Sequence, residues 1–125
     1  MEEHEVFAAI GEKGFRELVG AFYRRVPEDP VLGPMYPNHD FAGAEERLRG
    51  FLIYRFGGPQ TYIEERGHPR LRMRHAPFAV NEEARDHWLR LMTAALEETE
   101  MPGEAKTVLG NFFRDTASFL INRPS

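Results

Sequence analysis

The residues best suited to chemistry lie close together in the chain. Arg66, Arg70, Arg72 and Arg74 are interleaved with His68 and His75 in the stretch Arg66-Gly67-His68-Pro69-Arg70-Leu71-Arg72-Met73-Arg74-His75-Ala76-Pro77-Phe78. From Leu71 there is room for little more than a helical turn and a half. Pro77 biases Ala76 away from helical dihedrals, so the turn is predicted to end at about His75. A histidine at the end of a short helix keeps an exposed edge. Apolar Leu71 and Phe78 lie close to it in sequence. The set suits an axial ligand to haem, with imidazole on iron, apolar side chains on the porphyrin and arginines on the propionates. The same residues also make a solvated basic loop with a surface histidine, and the stretch alone leaves both readings open.

The elements that must position this stretch can be read from the composition and the periodicity. A chain of 125 residues with 42% hydrophobic and 29% charged residues is expected to form one soluble domain, residues 1–125, with a real core. A net charge of −4 gives no broad electrostatic reason to expect nucleic acid. There is no cysteine, hence no disulfide, thiolate metal site or cysteine nucleophile. The acidic start Met1-Glu2-Glu3-His4-Glu5 does not read as a signal peptide, so none is expected, and no apolar run approaches the ~18 residues of a membrane helix. The cytoplasm is the expected location. No internal repeat is visible.

Val6 to Ile10 can form one short apolar turn. Phe15, Leu18, Val19, Phe22, Tyr23 and Val26 then fall at helical spacing, predicting an amphipathic helix over 13–26 that Pro27 and Pro30 stop. Residues 27–40 read as a proline-rich corner with at most one helical turn near Val31-Leu32, and Asn38 or Asp40 can cap the next helix. That second helix is predicted over about 42–56, with Ala44, Leu48, Phe51, Leu52 and Arg55 on its stripe. Gly57-Gly58-Pro59 ends it. Residues 59–70 are polar and loop-like, with Tyr62 and His68 as possible inward anchors. Asn81 opens a helix whose stripe is Trp88, Leu91, Met92, Ala95 and Leu96. After Met101-Pro102-Gly103, a last helix over 103–121 points Val108, Leu109, Phe112, Phe113, Thr116, Phe119 and Leu120 inward. No stretch alternates at period two, so the fold class is all-α. The irregular segment between the second and third main helices is longer than a compact bundle normally carries, which suits a functional or ligand-packed role.

Tyr23 on an apolar helix face, Tyr36 in the corner and Trp88 on an inner face are aromatic side chains with polar tips. Each has an ordinary reading, either as core or as an amphipathic surface residue; together they carry chemistry only if they converge. Competing constellations are weak. There is no phosphate-binding glycine loop and no HExxH helix, His68 and His75 lack zinc-like spacing, and serine occurs only at Ser118 and Ser125. A cofactor-free helical interaction domain is the alternative from a different class.

The chain resembles the truncated haemoglobins of group II, which are bacterial globins. The matching text is Phe22-Tyr23-Arg24-Arg25-Val26, Asp29-Pro30-Val31-Leu32, Met35-Tyr36-Pro37, Ala42-Gly43-Ala44-Glu45-Glu46-Arg47-Leu48-Arg49 and Gly57-Gly58-Pro59. It continues with the long block from Arg66 to Phe78, then Asp86-His87-Trp88-Leu89. Two departures are Phe56, where the family often has tryptophan, and a poorly matching segment over residues 1–12. The resemblance implies a two-over-two helical sandwich around haem b (iron protoporphyrin IX). His75 would be the proximal iron ligand, and the stretch 59–80 would cradle that side. Tyr23, Tyr36 and Trp88 would line the distal pocket. Ala44 would take the place of a gating distal histidine, and Leu48 and Phe51 would face the haem from the same helix. Arg47, Arg74, His68 and Tyr62 would stand at the propionate edge. Leu71, Phe78 and Met92 complete the expected cofactor-binding set.

By the same resemblance, the ferrous iron would bind oxygen, carbon monoxide and nitric oxide. A hydrogen bond to a charged group contributes roughly 1.5–3 kcal/mol, and ~1.4 kcal/mol is tenfold in equilibrium. Two distal donors would therefore slow oxygen release by orders of magnitude. Tight retention suits sensing, storage or redox chemistry more than delivery, and the redox readings are nitric oxide dioxygenase-like or peroxidase-like turnover with a separate reductase. The sequence holds no reductase domain and no electron-donor motif.

Overall fold

A computed structural model describes residues 1–75 and 78–124. Its helices are α1 (Val6–Arg25), α2 (Phe41–Arg55), α3 (Thr61–Arg66), α4 (Leu71–His75), α5 (Glu82–Glu98) and α6 (Gly103–Phe119), with no strand among the described residues. Two helix pairs, α1 with α2 and α5 with α6, form the layers, and α1 also packs on α5. The expected all-α sandwich is therefore the fold.

The short apolar turn and the first long helix are one element broken at Gly11, whose φ of 66° lies where a side chain is strained. Phe15, Leu18, Val19 and Phe22 are fully buried along the face predicted from spacing. The start of the chain docks on the end of α2, where the Phe7 N–H donates to the Phe56 carbonyl at 3.0 Å. Arg55 pairs with Glu3 at 2.9 Å. Gly57, with φ 99°, passes so close that a β-carbon there would sit 2.0 Å from the His4 carbonyl oxygen.

Between α1 and α2 the corner is built from three single turns of 3-10 helix, Val26–Glu28, Gly33–Met35 and Pro37–His39, each with proline in its first two positions. The turn at Val31-Leu32 is held by Asp29, whose Oδ1 accepts from the Val31 and Leu32 N–H groups at 2.9 and 2.8 Å. Asp40 caps α2 by accepting from Gly43 N–H, and Asn81 caps α5 by accepting from Ala84 N–H, each at 2.9 Å. Of the two candidate caps for α2, Asn38 instead adopts a left-handed conformation within the corner.

Three expectations need correction. The corner holds three 3-10 turns instead of at most one near Val31-Leu32, because each has a proline whose fixed φ suits a helical turn. Residues 61–66 are helix α3, not loop. Six residues are too few to show a periodicity, and α3 is held from outside by its one buried side chain, Tyr62, which packs edge-on to Phe51 and flat on Tyr54. Phe119 is not inward but 56% exposed, lying at the last turn of α6 with the Arg72 guanidinium 5.1 Å from its ring. The turn carrying His75 ends its helix as expected; the part of that expectation that rests on Ala76 and Pro77 lies outside the described residues.

Asp29 also joins the corner to α5, since His87 Nδ1 lies 2.9 Å from its Oδ2. Burial alone would raise the Asp29 carboxyl, but the Leu32 N–H, His87 and the Val31 N–H hold it below the ordinary carboxylate value. Its folded value is thus lower than its unfolded one. The stabilisation is present above the unfolded value of ~3.9 and is lost as pH falls through the folded value. Asp29→Ala is expected to lower stability by about 1–3 kcal/mol at neutral pH. Urea unfolding at a series of pH values should show the gap to wild type closing below pH ~4; a gap that stays constant into acid rejects this account.

Candidate functional site

The elements line a cavity of about 530 Å³ that opens to the surface, within the range of small-molecule and cofactor sites. Its wall draws on every part of the fold: Tyr23 from α1, Leu32, Met35 and Tyr36 from the corner, and Ala44, Arg47, Leu48 and Phe51 from α2. Tyr62 and Arg66 come from α3, Leu71, Arg74 and His75 from α4, and Phe78 and Val80 from the segment between α4 and α5. Ala84, Arg85 and Trp88 come from α5, and Phe112, Phe113, Thr116 and Ala117 from α6. The lining is largely aromatic and aliphatic with four arginines among it.

His75 is half-buried at the end of α4. Its Nδ1 lies 2.8 Å from the Leu71 carbonyl oxygen. A carbonyl can only accept, so Nδ1 carries the proton in the neutral ring and Nε2 is left with a free lone pair. This is how metal-ligating histidines are commonly held, by donation from the other ring nitrogen. The Phe78 ring stands edge-on to the imidazole at 6.3 Å between centroids.

Tyr23, Tyr36 and Trp88 do converge on the cavity. The Tyr23 and Tyr36 hydroxyls are 3.4 Å apart and their rings meet edge-on at 5.7 Å. Trp88 is wedged between Phe22 and Phe113, at 5.1 and 5.5 Å. Burial pushes the Tyr23 phenol far above its ordinary value, and the adjacent Tyr36 phenol adds to the shift. Burial likewise raises Tyr36. Both hydroxyls therefore keep their protons and can donate.

At the basic part of the wall, Arg74 donates to the Arg66 and His68 carbonyls at 2.6 and 3.2 Å, tying down the link between α3 and α4. Arg47 lies 3.8 Å from the Asp40 carboxylate. Of the fourteen residues expected to contact a cofactor, His68 and Met92 are not on the cavity wall. His68 is exposed and contributes its backbone carbonyl to Arg74. Met92 is a fully buried core residue. Sequence reasoning placed the inner face of α6 in the core and missed its share of the wall. The adjacent aromatics Phe112 and Phe113 were the available signal, since a pair at consecutive helical positions faces two directions. Arg66, part of the basic stretch but outside the expected cofactor-binding set, is on the wall as well; Arg85 was missed, and it is held by Asp86 and Ser118.

Among the described residues there is no cluster of three His, Cys, Asp or Glu side chains able to hold a metal ion. One imidazole lone pair facing an apolar cavity fits a metal that arrives in its own macrocycle, not a bare ion.

The bacterial-like globin family model matches residues 5–122. The group 2 truncated hemoglobin YjbI of Bacillus subtilis is 38% identical over 117 residues, covering 94% of this chain and 88% of its own. Among solved structures, the hemoglobin of the thermophilic phototroph Chloroflexus aurantiacus is 48% identical with a TM-score of 0.90, covering 94% of this chain and 98% of its own. The thermostable hemoglobin of Thermobifida fusca is 45% identical with a TM-score of 0.92, covering 96% of this chain and 98% of its own. The family carries haem, and the cavity has the lining and the free imidazole nitrogen that haem requires. The chain belongs to the bacterial-like globins and, within them, to the group II truncated haemoglobins.

Proposed function

We propose that the cavity holds haem b, with His75 Nε2 as the proximal iron ligand, and that the protein binds oxygen tightly and releases it slowly. The observation that carries this reading is the His75 Nδ1–Leu71 carbonyl hydrogen bond, which fixes the tautomer that can ligate. Ferrous haem iron supplies the binding of diatomic ligands, carbon monoxide and nitric oxide included. The chain's own residues supply the rest. Leu48, Phe51, Leu71 and Phe78 provide apolar contact, and Arg47 and Arg74 provide positive charge for the haem carboxylates. Tyr62, whose ring packs on Phe51, closes the same edge.

On the other side, the Tyr23 and Tyr36 hydroxyls and the Trp88 indole N–H offer hydrogen bonds to a ligand that gains negative charge. Preorganised donors in a water-poor site favour such a ligand over one that gains little. Ala44 adds no bulk near them. Retention of this kind favours sensing, storage or redox turnover of nitric oxide or peroxide, in a cytoplasmic protein served by a separate reductase. The absorption spectrum of the purified protein separates this from a cofactor-free interaction domain, which has no Soret band.

Three outcomes are expected. His75→Ala should lose most haem or regain it only with added imidazole; normal haem content and an unchanged ferrous spectrum would remove His75 from the role. Trp88→Phe keeps the aromatic wall and removes one donor, so stopped-flow oxygen release should be roughly tenfold faster or more if the hydrogen bond contributes ~1.5 kcal/mol or above. Tyr23→Phe should act in the same direction without full additivity, because the donors share one ligand. Release at the wild-type rate in both variants sinks the donor assignment. Finally, because the folded phenol values are raised, the stabilisation from neutral Tyr23 and Tyr36 is present below the unfolded value of ~10 and lost as pH rises beyond it. Tyr23 and Tyr36 should form phenolate only as the protein unfolds in alkali, and full phenolate absorbance in the folded protein would contradict the burial argument.

A further inference from the structure

Beyond the end of α6 the chain returns to the histidine helix. Asn122 Nδ2 donates to the His75 carbonyl at 3.1 Å, and its Oδ1 accepts from the Val80 N–H at 2.9 Å. Its own N–H donates to the Val80 carbonyl at 2.8 Å, and the Arg123 N–H donates there too at 3.1 Å. The amide orientation is not arbitrary, since a carbonyl can only accept and an N–H can only donate. The His75 carbonyl also accepts from the Phe78 N–H at 2.9 Å, so both of its lone pairs are used. At the last residue of a helix the carbonyl has no partner within the helix and must find one elsewhere. Here a side chain more than forty residues further along the chain provides it.

The His75 ring is thus held at one end by the Leu71 carbonyl and at the other by a backbone pinned from outside α4. A helix of five residues is not stable by itself, so the direction of the imidazole depends on what holds its main chain. We propose that Asn122 is a positioning residue for His75, one that sets the aim of Nε2 through the His75 carbonyl. This rests on the assignment of His75 as the iron ligand, and it adds a residue that no sequence pattern near His75 indicates.

Two variants separate aim from fold. Asn122→Asp keeps an acceptor for Val80 N–H but loses the donor to the His75 carbonyl, while Asn122→Leu loses both. The readouts are the iron–histidine stretching band of the ferrous protein by resonance Raman, the rate of haem transfer to an excess of apomyoglobin, and the thermal midpoint. The expected result is a shifted or broadened band in both variants and haem transfer about tenfold faster, with the Asp variant unfolding close to the wild-type midpoint. A lowered midpoint with an unchanged band and transfer rate means that Asn122 only stabilises the fold, and overturns the inference. So does an unchanged band in both variants while the wild-type band is present, and in that case the haem assignment stands. Absence of the band from the wild-type protein removes the His75 assignment and the inference with it.

Discussion

A helix of five residues has no stability of its own in water. Fixing the first turn of any helix restricts several dihedrals for a single hydrogen bond, and α4 is over before propagation can offset that. Yet α4 carries the histidine proposed here as the iron ligand. Its order is borrowed. The Arg74 guanidinium spans back to the Arg66 and His68 carbonyls, and the His75 ring turns back to the Leu71 carbonyl. The tail after α6 reaches across to His75 and Val80. The larger helices supply the rigid frame for these contacts, and their own packing is conventional: apolar faces of α1, α2, α5 and α6 closing on one another.

The opposite wall is ordered by different means. A run of touching aromatic rings passes from Phe7 through Phe15, Phe56, Phe112 and Phe113 to Trp88, then through Phe22 to Tyr23 and Tyr36. Rings in tilted and edge-on contact have little freedom to turn, so the polar tips at the end of the run are aimed by packing. This is why the two phenols can stand with hydroxyls 3.4 Å apart and stay protonated. The wall that carries His75 is thus held largely by hydrogen bonds to backbone carbonyls, and the wall that carries Tyr23, Tyr36 and Trp88 largely by shape.

The features legible in the sequence were those encoded locally. The four long helices arise from apolar side chains at helical spacing, and the caps at Asp40 and Asn81 from side chains that reach backbone three residues on. The convergence of Tyr23, Tyr36 and Trp88 was suggested by the resemblance and not by spacing, because three separate elements bring them together. Helix α3 was illegible since one buried tyrosine makes no period. The contribution of α6 to the cavity was hidden because a residue facing a core and one facing a cavity look alike in sequence. Asn122 left no trace at all: its partners lie far back along the chain, and an asparagine after a helix reads as an ordinary terminator.

The corner between α1 and α2 has a thermodynamic consequence of its own. Pro27, Pro30, Pro34 and Pro37 restrict φ in the unfolded chain as much as in the folded one, so the segment has fewer conformations to surrender. Asp29 then binds two of its N–H groups and anchors it to α5. Tyr36 therefore stands on a backbone that is already stiff before anything enters the cavity. A group that docks against its hydroxyl would have little loop to immobilise, so such a contact would lose little configurational entropy on formation.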